Sequence, residues 1–228
     1  MDTDLAHYAA STPWWTYLFA FLGPVAGKTM LDVACGYSMT PVILASAGAT
    51  VHAIDVAPKT VATVQQLAEY KGVGDQVSAR VSPAETLPYA DETFDLIFGG
   101  AALHHLQLER AAVEFRRVLK PGGRAAFQDP LGHNLFLEFT RDYLPYKDKH
   151  PVKGTDRPLQ VRDIENFGRY FTSYTWRGFD LVGMIRKPFH LKKNSPVRKM
   201  LYTTDQWLFA KAPYLQRYAR FAVTCVTK

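Results

Sequence analysis

The stretch Leu31–Pro41, LDVACGYSMTP, with the following apolar run that closes on Asp55, constrains this chain more than any other feature. Thr29–Val33 is short and apolar, the pattern of a strand in the middle of a parallel sheet. It breaks into a tight turn at Gly36, where the backbone is able to approach a ligand closely. The helix that follows points unpaired N–H groups at the same place. Asp55 then lies at the carboxyl end of the second strand, where a carboxylate takes the two hydroxyls of a ribose. The layout implies an adenosine-containing cofactor.

Two cofactor classes use it. A dinucleotide site needs a G-x-G-x-x-G turn so that pyrophosphate rests on helix amides. The matching residues Ala34 to Met39 hold one glycine and two bulky side chains, which disfavours that class. The stretch instead resembles the D/E-x-G-x-G-x-G loop of class I S-adenosylmethionine (SAM)-dependent methyltransferases, with Asp32 as the acid and Gly36 as the central glycine. Ala34 and Ser38 stand where the outer glycines belong, the alanine being the milder departure. Val81–Leu106 and Phe115–Pro130 resemble further segments of the UbiE-like, small-molecule branch. The matched motifs run in order from Thr29 to Asn134.

Strand and helix patterns alternate through the same stretch. Strands are expected at Thr29–Val33, Thr50–Asp55, Val77–Val81, Phe94–Gly99 and Arg124–Asp129. Helices are expected at Pro41–Ala47, near Thr60–Lys71 and near Leu108–Leu119. Such alternation gives right-handed crossovers and a doubly wound α/β sheet. Asp2–Phe21 reads as one aromatic-rich helix or two short ones, forming an N-terminal cap over residues 1–28. Residues 29–134 form the cofactor half, and residues 135–228 a substrate-binding half with a helical insertion, all in a single domain. In that half, Leu135–Leu144 has helical spacing and Asp142–Pro158 reads as a loop over the site mouth. Helices at Gln160–Gly168 and Pro196–Lys211 and strands at Thr172–Phe179 and Ala219–Thr227 complete the chain. The resemblance implies a Rossmann-like sheet of seven strands with the last one inserted antiparallel.

Ligands of such a sheet sit outside the carboxyl ends of its strands. The resemblance implies SAM there, with Asp32 holding the ammonium group and Ala34 and Gly36 shaping the loop. Asp55 takes the ribose, and Val56 and Ala84 sandwich the adenine. The family often places an acid for the adenine amino group where this chain has Pro83, which leaves Ser82, Glu85, a carbonyl or water. Gly100 and Ala101 let the chain pass close to the sulfonium. His104 and His105 are candidate bases, since histidine titrates near neutral pH; at a helix start, consecutive histidines point different ways, and the resemblance favours His104. Asp129, His133 and Asn134 follow the fifth strand and offer polar contacts to an acceptor, or else shape a turn and cap a helix. Tyr8, Trp14 and Trp15 supply an aromatic cover for the acceptor, or simple packing.

Composition narrows the rest. With 228 residues, 47% of them hydrophobic, the chain buries a substantial core. Two cysteines, Cys35 and Cys225, exclude a disulfide framework and favour a reduced, cytoplasmic protein. Trp14–Val25 is too short to span a bilayer, and Asp2 and Asp4 sit where a secretory leader is basic. No acidic trio marks a magnesium site, and no paired zinc ligands, P-loop or nucleophile elbow is present, so no metal is expected. The net charge of +6 is concentrated at the C-terminal end, where Arg186–Lys228 holds ten Lys/Arg against one acid, Asp205. That excess is either a solvated surface or a contact with an anionic substrate, carrier or membrane surface. No nucleic-acid module is present.

The resulting expectation is methyl transfer from SAM to O or N of a small, apolar or aromatic molecule. Carbon methylation of a quinone-like acceptor, or a non-catalytic SAM-fold binding protein, are the alternatives.

Overall fold

The computed structural model describes residues 5–10, 12–134, 137, 157–186 and 195–228. Two short helices, α1 (Leu5–Ala10) and α2 (Pro13–Leu22), open the chain. Then follow β1 (Thr29–Val33), α3 (Thr40–Ser46), β2 (Thr50–Asp55), α4 (Pro58–Tyr70), β3 (Val77–Val81) and β4 (Phe94–Gly100). After them come α5 (Leu108–Val118), β5 (Leu119–Pro130), α6 (Val161–Gly168), β6 (Ser173–Phe179), α7 (Pro196–Lys211) and β7 (Phe221–Thr227). The seven strands form one sheet in the order β3-β2-β1-β4-β5-β7-β6. The first five pair in parallel, and β7 inserts antiparallel between β5 and β6.

Strand alternation divides the core into two layers. Leu31, Val33, Ile97 and Phe127 meet α5 and α6 through Phe115, Ile164 and Phe167. Met30, Val51, Leu96, Phe98 and Ala126 meet α2, α3 and α4 through Leu18, Leu22, Val42, Leu44 and Val64. Asp32 is in register with Met30, so its side chain belongs to the α2–α3 layer and is buried there. This placement decides what the carboxylate meets.

The N-terminal helices are fastened to that layer. Trp15 stacks on Phe98 of β4 at 5.5 Å between ring centroids, and Trp14 meets Phe221 of β7 edge-on at 5.7 Å. Arg124 Nη1 donates to the Phe21 carbonyl at 2.7 Å and ties the end of α2 to β5.

One strand is longer than its sequence pattern predicts. β5 begins at Leu119, not Arg124, because Leu119 pairs with Phe94 before Arg124 pairs with Leu96. Pro121-Gly122-Gly123 forms the irregularity between those pairings. A Cβ at Gly123 would lie 2.8 Å from the Lys120 carbonyl oxygen, so the backbone has no room for a larger residue. At the other end, Ala219 and Arg220 precede β7, after a short 3₁₀ helix at Pro213–Tyr218. The expected helix at Leu135–Leu144 and loop at Asp142–Pro158 lie almost wholly outside the described residues.

Candidate active site

The carboxyl ends of β1, β4 and β5 and the underside of α1 and α2 enclose a cavity of about 220 Å³. Asp32, Ala34 and Cys35 supply one wall, Gly100, Ala101 and Gln128 another, and Tyr8, Trp14 and Trp15 the cover. Asp32, Ala34, Gly100, Ala101, Tyr8, Trp14 and Trp15 had been singled out from sequence. Gln128, Thr40 and Phe98 had not. For Gln128 the signal was strand alternation: it faces opposite to its neighbours Phe127 and Asp129, onto the layer that holds α2.

The electrostatics of the cavity centre on Asp32. Its side chain is fully enclosed, and Oδ2 has no hydrogen-bond partner. Burial pushes its pKa well above the usual carboxylate range, and the nearby charge of Asp55 pushes in the same direction. A buried carboxylate oxygen without a donor is costly, and a donor that enters the cavity relieves that cost. The group that fits is a cation with N–H donors, which an amino-acid ammonium supplies. Burial and Asp32 likewise raise the Cys35 thiol, so that side chain is an apolar wall and not a nucleophile. The Tyr8 phenol is raised by burial and is hydrogen-bonded to Thr40, which also pairs with the Ser38 hydroxyl at 2.7 Å.

The loop between β1 and α3 has the conformation its motif calls for. Gly36 sits at φ +55°, and a Cβ there would meet nothing closer than the Ala34 carbonyl oxygen at 3.9 Å, which leaves open space for a ligand. Ala34 also adopts a left-handed conformation, φ 51°. Alanine at this position is therefore not a neutral replacement for glycine, because the chain keeps the glycine geometry and bears its strain, about 1 kcal/mol. Asp55 accepts from Gly36 N at 3.0 Å on one oxygen and from Ala57 N at 2.9 Å on the other. Each oxygen has a second lone pair for a hydroxyl donor. Val56 is 71% exposed beside it, and Ala84 is buried. The Asp32 carboxylate has the chemistry to meet an ammonium group, and the open Gly36 turn with the Asp55 acceptors that to meet a ribose, both of which SAM carries.

Other expected site residues are engaged elsewhere. Glu85 accepts from the backbone N–H of Gln107 at 2.9 Å and so holds the start of α5. The Ser82 hydroxyl donates to the Pro83 carbonyl at 3.1 Å. His133 Nε2 accepts from Val161 N at 3.0 Å, at the start of α6. Asn134 donates to the Tyr218 carbonyl at 2.8 Å and accepts from Leu137 N at 3.2 Å, which is a turn-and-cap role and not an acceptor contact. None of these four lines the cavity.

The two histidine rings lie against each other, 3.9 Å between centroids, so they do not point different ways as expected, but they differ in burial. His105 is exposed, whereas the His104 side chain is 5% exposed and its Nδ1 lies 2.8 Å from Asp129 Oδ1. The His104 backbone N–H donates to the same oxygen at 3.2 Å. Asp129 is buried, and its Oδ2 is unpartnered. One of its two oxygens, Oδ1, is committed to His104. Among the described residues no group of three or more His, Cys, Asp or Glu is arranged to hold a metal ion.

Residues 31–127 match the family described as a methyltransferase domain. The chain is 35% identical to the methyltransferase GfsG of Streptomyces halstedii over 167 residues, 72% of this chain and 57% of that protein. It is 33% identical over 106 residues to the 27-O-demethylrifamycin SV methyltransferase of Amycolatopsis mediterranei, covering 46% of this chain and 39% of the relative. The chain thus spans between two fifths and three fifths of the length of these two relatives. Its fold is similar to that of a geranyl diphosphate methyltransferase solved in complex with SAM, at a TM-score of 0.61 and 15% identity, covering 93% of this chain and 82% of that one.

Proposed function

We propose that the chain is a class I SAM-dependent methyltransferase that methylates a hydroxyl oxygen or a nitrogen of a small, apolar or aromatic molecule. The single observation behind this reading is the aromatic-covered cavity in which Asp32 presents an unpartnered carboxylate oxygen. When bound, SAM supplies a methyl group already activated by its sulfonium, so the protein's share is positioning and exclusion of water. Asp32 binds the ammonium, Asp55 the ribose hydroxyls, and the Gly100–Ala101 backbone passes beside the methyl-bearing end. Tyr8, Trp14 and Trp15 exclude water and offer flat apolar surface to the acceptor.

A hydroxyl acceptor must lose a proton as its oxygen takes the methyl group. His104 is the base in this reading. Asp129, whose Oδ1 lies 2.8 Å from His104 Nδ1, orients the ring, and its carboxylate offsets the imidazolium charge that results. The oxygen acceptor is favoured by this pair and is in keeping with the rifamycin relative, named for a 27-O-demethyl compound.

The test is turnover against a panel of phenols, alcohols, amines and quinone-like carbon acids, with products located by mass spectrometry. His104→Ala should lower kcat for a hydroxyl acceptor on the order of 10²–10⁴-fold while leaving SAM affinity unchanged. Methylated carbon in the product would move the assignment to the quinone-type reading. SAM binding with no turnover on any acceptor would move it to a binding protein.

A further inference from the structure

Helix α7 carries its apolar residues on the wrong side for a helix that faces only water. Its buried stripe is Arg198, Leu201, Asp205 and Phe209. At 3.6 residues per turn the opposite side is formed by Met200, Thr203, Trp207 and Ala210, with Val197 and Lys211 along its edge. All six are exposed or half-exposed, Met200 and Trp207 at 59% each. These two lie one above the other, about 10 Å apart along the axis. A solvated helix face is ordinarily polar. Here Met200, Trp207 and Val197 interrupt it, while its polar members are Thr203, the half-exposed Thr204 and the flanking Lys199, Gln206 and Lys211.

Charge continues the pattern. Residues 195–228 contain six Lys/Arg, of which Lys199, Lys211 and Arg217 are exposed, whereas Arg198 is buried, Arg220 lies 3.9 Å from Asp180 and Lys228 3.5 Å from Glu92; the one acid of the segment, Asp205, is buried. Just beyond α7, Tyr214 and Tyr218 are exposed on either side of the exposed Arg217. The outer side of α7 is therefore led by Met200 and Trp207, with the exposed cations Lys199 and Lys211 beside them.

We propose that the outer face of α7 docks on an anionic phospholipid surface. An interfacial helix of this kind sinks its tryptophan and aliphatic side chains to the headgroup–acyl boundary while lysines reach the lipid phosphates. A second copy of the chain is a poorer occupant, because a two-fold contact would set these lysines against their own counterparts with no acid to offset them. An acidic protein would satisfy the lysines, but a ridge led by a tryptophan would also demand a matching apolar cleft. Among the described residues no helix is long and apolar enough to cross a bilayer, so contact through α7 is at the surface. The inference goes beyond the methyl-transfer reading and does not depend on it.

The experiment is co-sedimentation of the full chain with phosphatidylcholine vesicles, with and without about a third phosphatidylserine, at low and high salt. The expected result is binding to the anionic vesicles that weakens with salt, and an about tenfold weaker partition for the Met200→Ser/Trp207→Ser double variant. Thermal melting and SAM binding of that variant serve as folding controls, and Trp207→Phe should remove the quenching of tryptophan fluorescence by brominated lipid. Three results would overturn the proposal. One is no binding to anionic vesicles, and another is equal binding by the double variant. The third is concentration-dependent dimerisation, or capture by soluble polyglutamate in place of vesicles, that the double variant abolishes.

Discussion

Asp32 and Asp205 are both buried carboxylates with a second carboxylate nearby, and in both burial raises the pKa. They differ in what the backbone gives them. Asp205, on α7, accepts from Val182 N at 2.7 Å and from Gly183 N at 3.1 Å, and so clamps α7 to the turn after β6. Asp32, at the end of β1, has an oxygen with no donor at all and a cavity in front of it. A buried charge satisfied by main-chain N–H groups is architecture. A buried carboxylate left unsatisfied against a cavity is costly to the fold and open to a donor that enters the cavity.

The contrast is sharpest in the substitution of each acid. Asp32→Asn should weaken SAM binding about a hundredfold, the scale of a charge-assisted hydrogen bond, read by calorimetric titration. The same substitution should stabilise the ligand-free protein. A folded pKa raised above 3.8 means that stability falls as pH rises from 3.8 through the folded value, and above it the cost is fully present. Removing the charge removes that cost, so the variant's melting temperature at neutral pH should exceed the wild type's. A lower melting temperature together with intact SAM affinity would place Asp32 with the structural acids.

Asp205→Ala should do the opposite. With two N–H groups left without an acceptor it costs about 3 kcal/mol in denaturant unfolding, and SAM affinity in the folded fraction stays the same. Equal loss of both would dissolve the distinction.

Glu114 shows a third situation, an acid with its cation already in place. It accepts from Arg117 and from Leu87 N, each at 2.8 Å, and Arg117 holds its pKa below the ordinary 4.5. Its contribution is complete above about pH 4.5 and lost as pH falls through the folded value. Glu114→Gln should cost about 1 kcal/mol at neutral pH and converge with the wild type in acid, followed by urea melts across pH. The smallest effect is expected at Ala34→Gly. Relief of the left-handed strain should raise stability by less than about 1 kcal/mol, because glycine returns some of the gain as chain entropy. A loss of stability there would mean that the Ala34 methyl packs usefully against the cavity.

The parallel half of the sheet was legible because its signals are local. Short apolar runs, a turn glycine and strand-terminal acids each report on their own backbone, and β1 to β4 fall within a residue of expectation. The Pro121-Gly122-Gly123 irregularity in β5 was less visible, since it depends on which residue of β4 lies opposite. Glu85, His133 and Asn134 read as ligand-binding groups for the same reason. A polar side chain near a strand end looks alike in sequence whether it faces a ligand or the backbone of a distant helix. The partner that fixes each of them is 22, 28 or 84 residues away.

What the sequence by itself determined is the sheet, its cofactor loop and the acids at its rim, because these follow from the period of burial and from backbone geometry. What only the tertiary structure decided is the state of each polar group. The same alternation that makes a strand sent Gln128 into the cavity and Asp129 to His104. The packing of α2 on Phe98 closed the cavity over Asp32. Whether a carboxylate is a clamp, a partner or a binding site depends on which donors reach it through space, and a chain read in one dimension does not contain that distance.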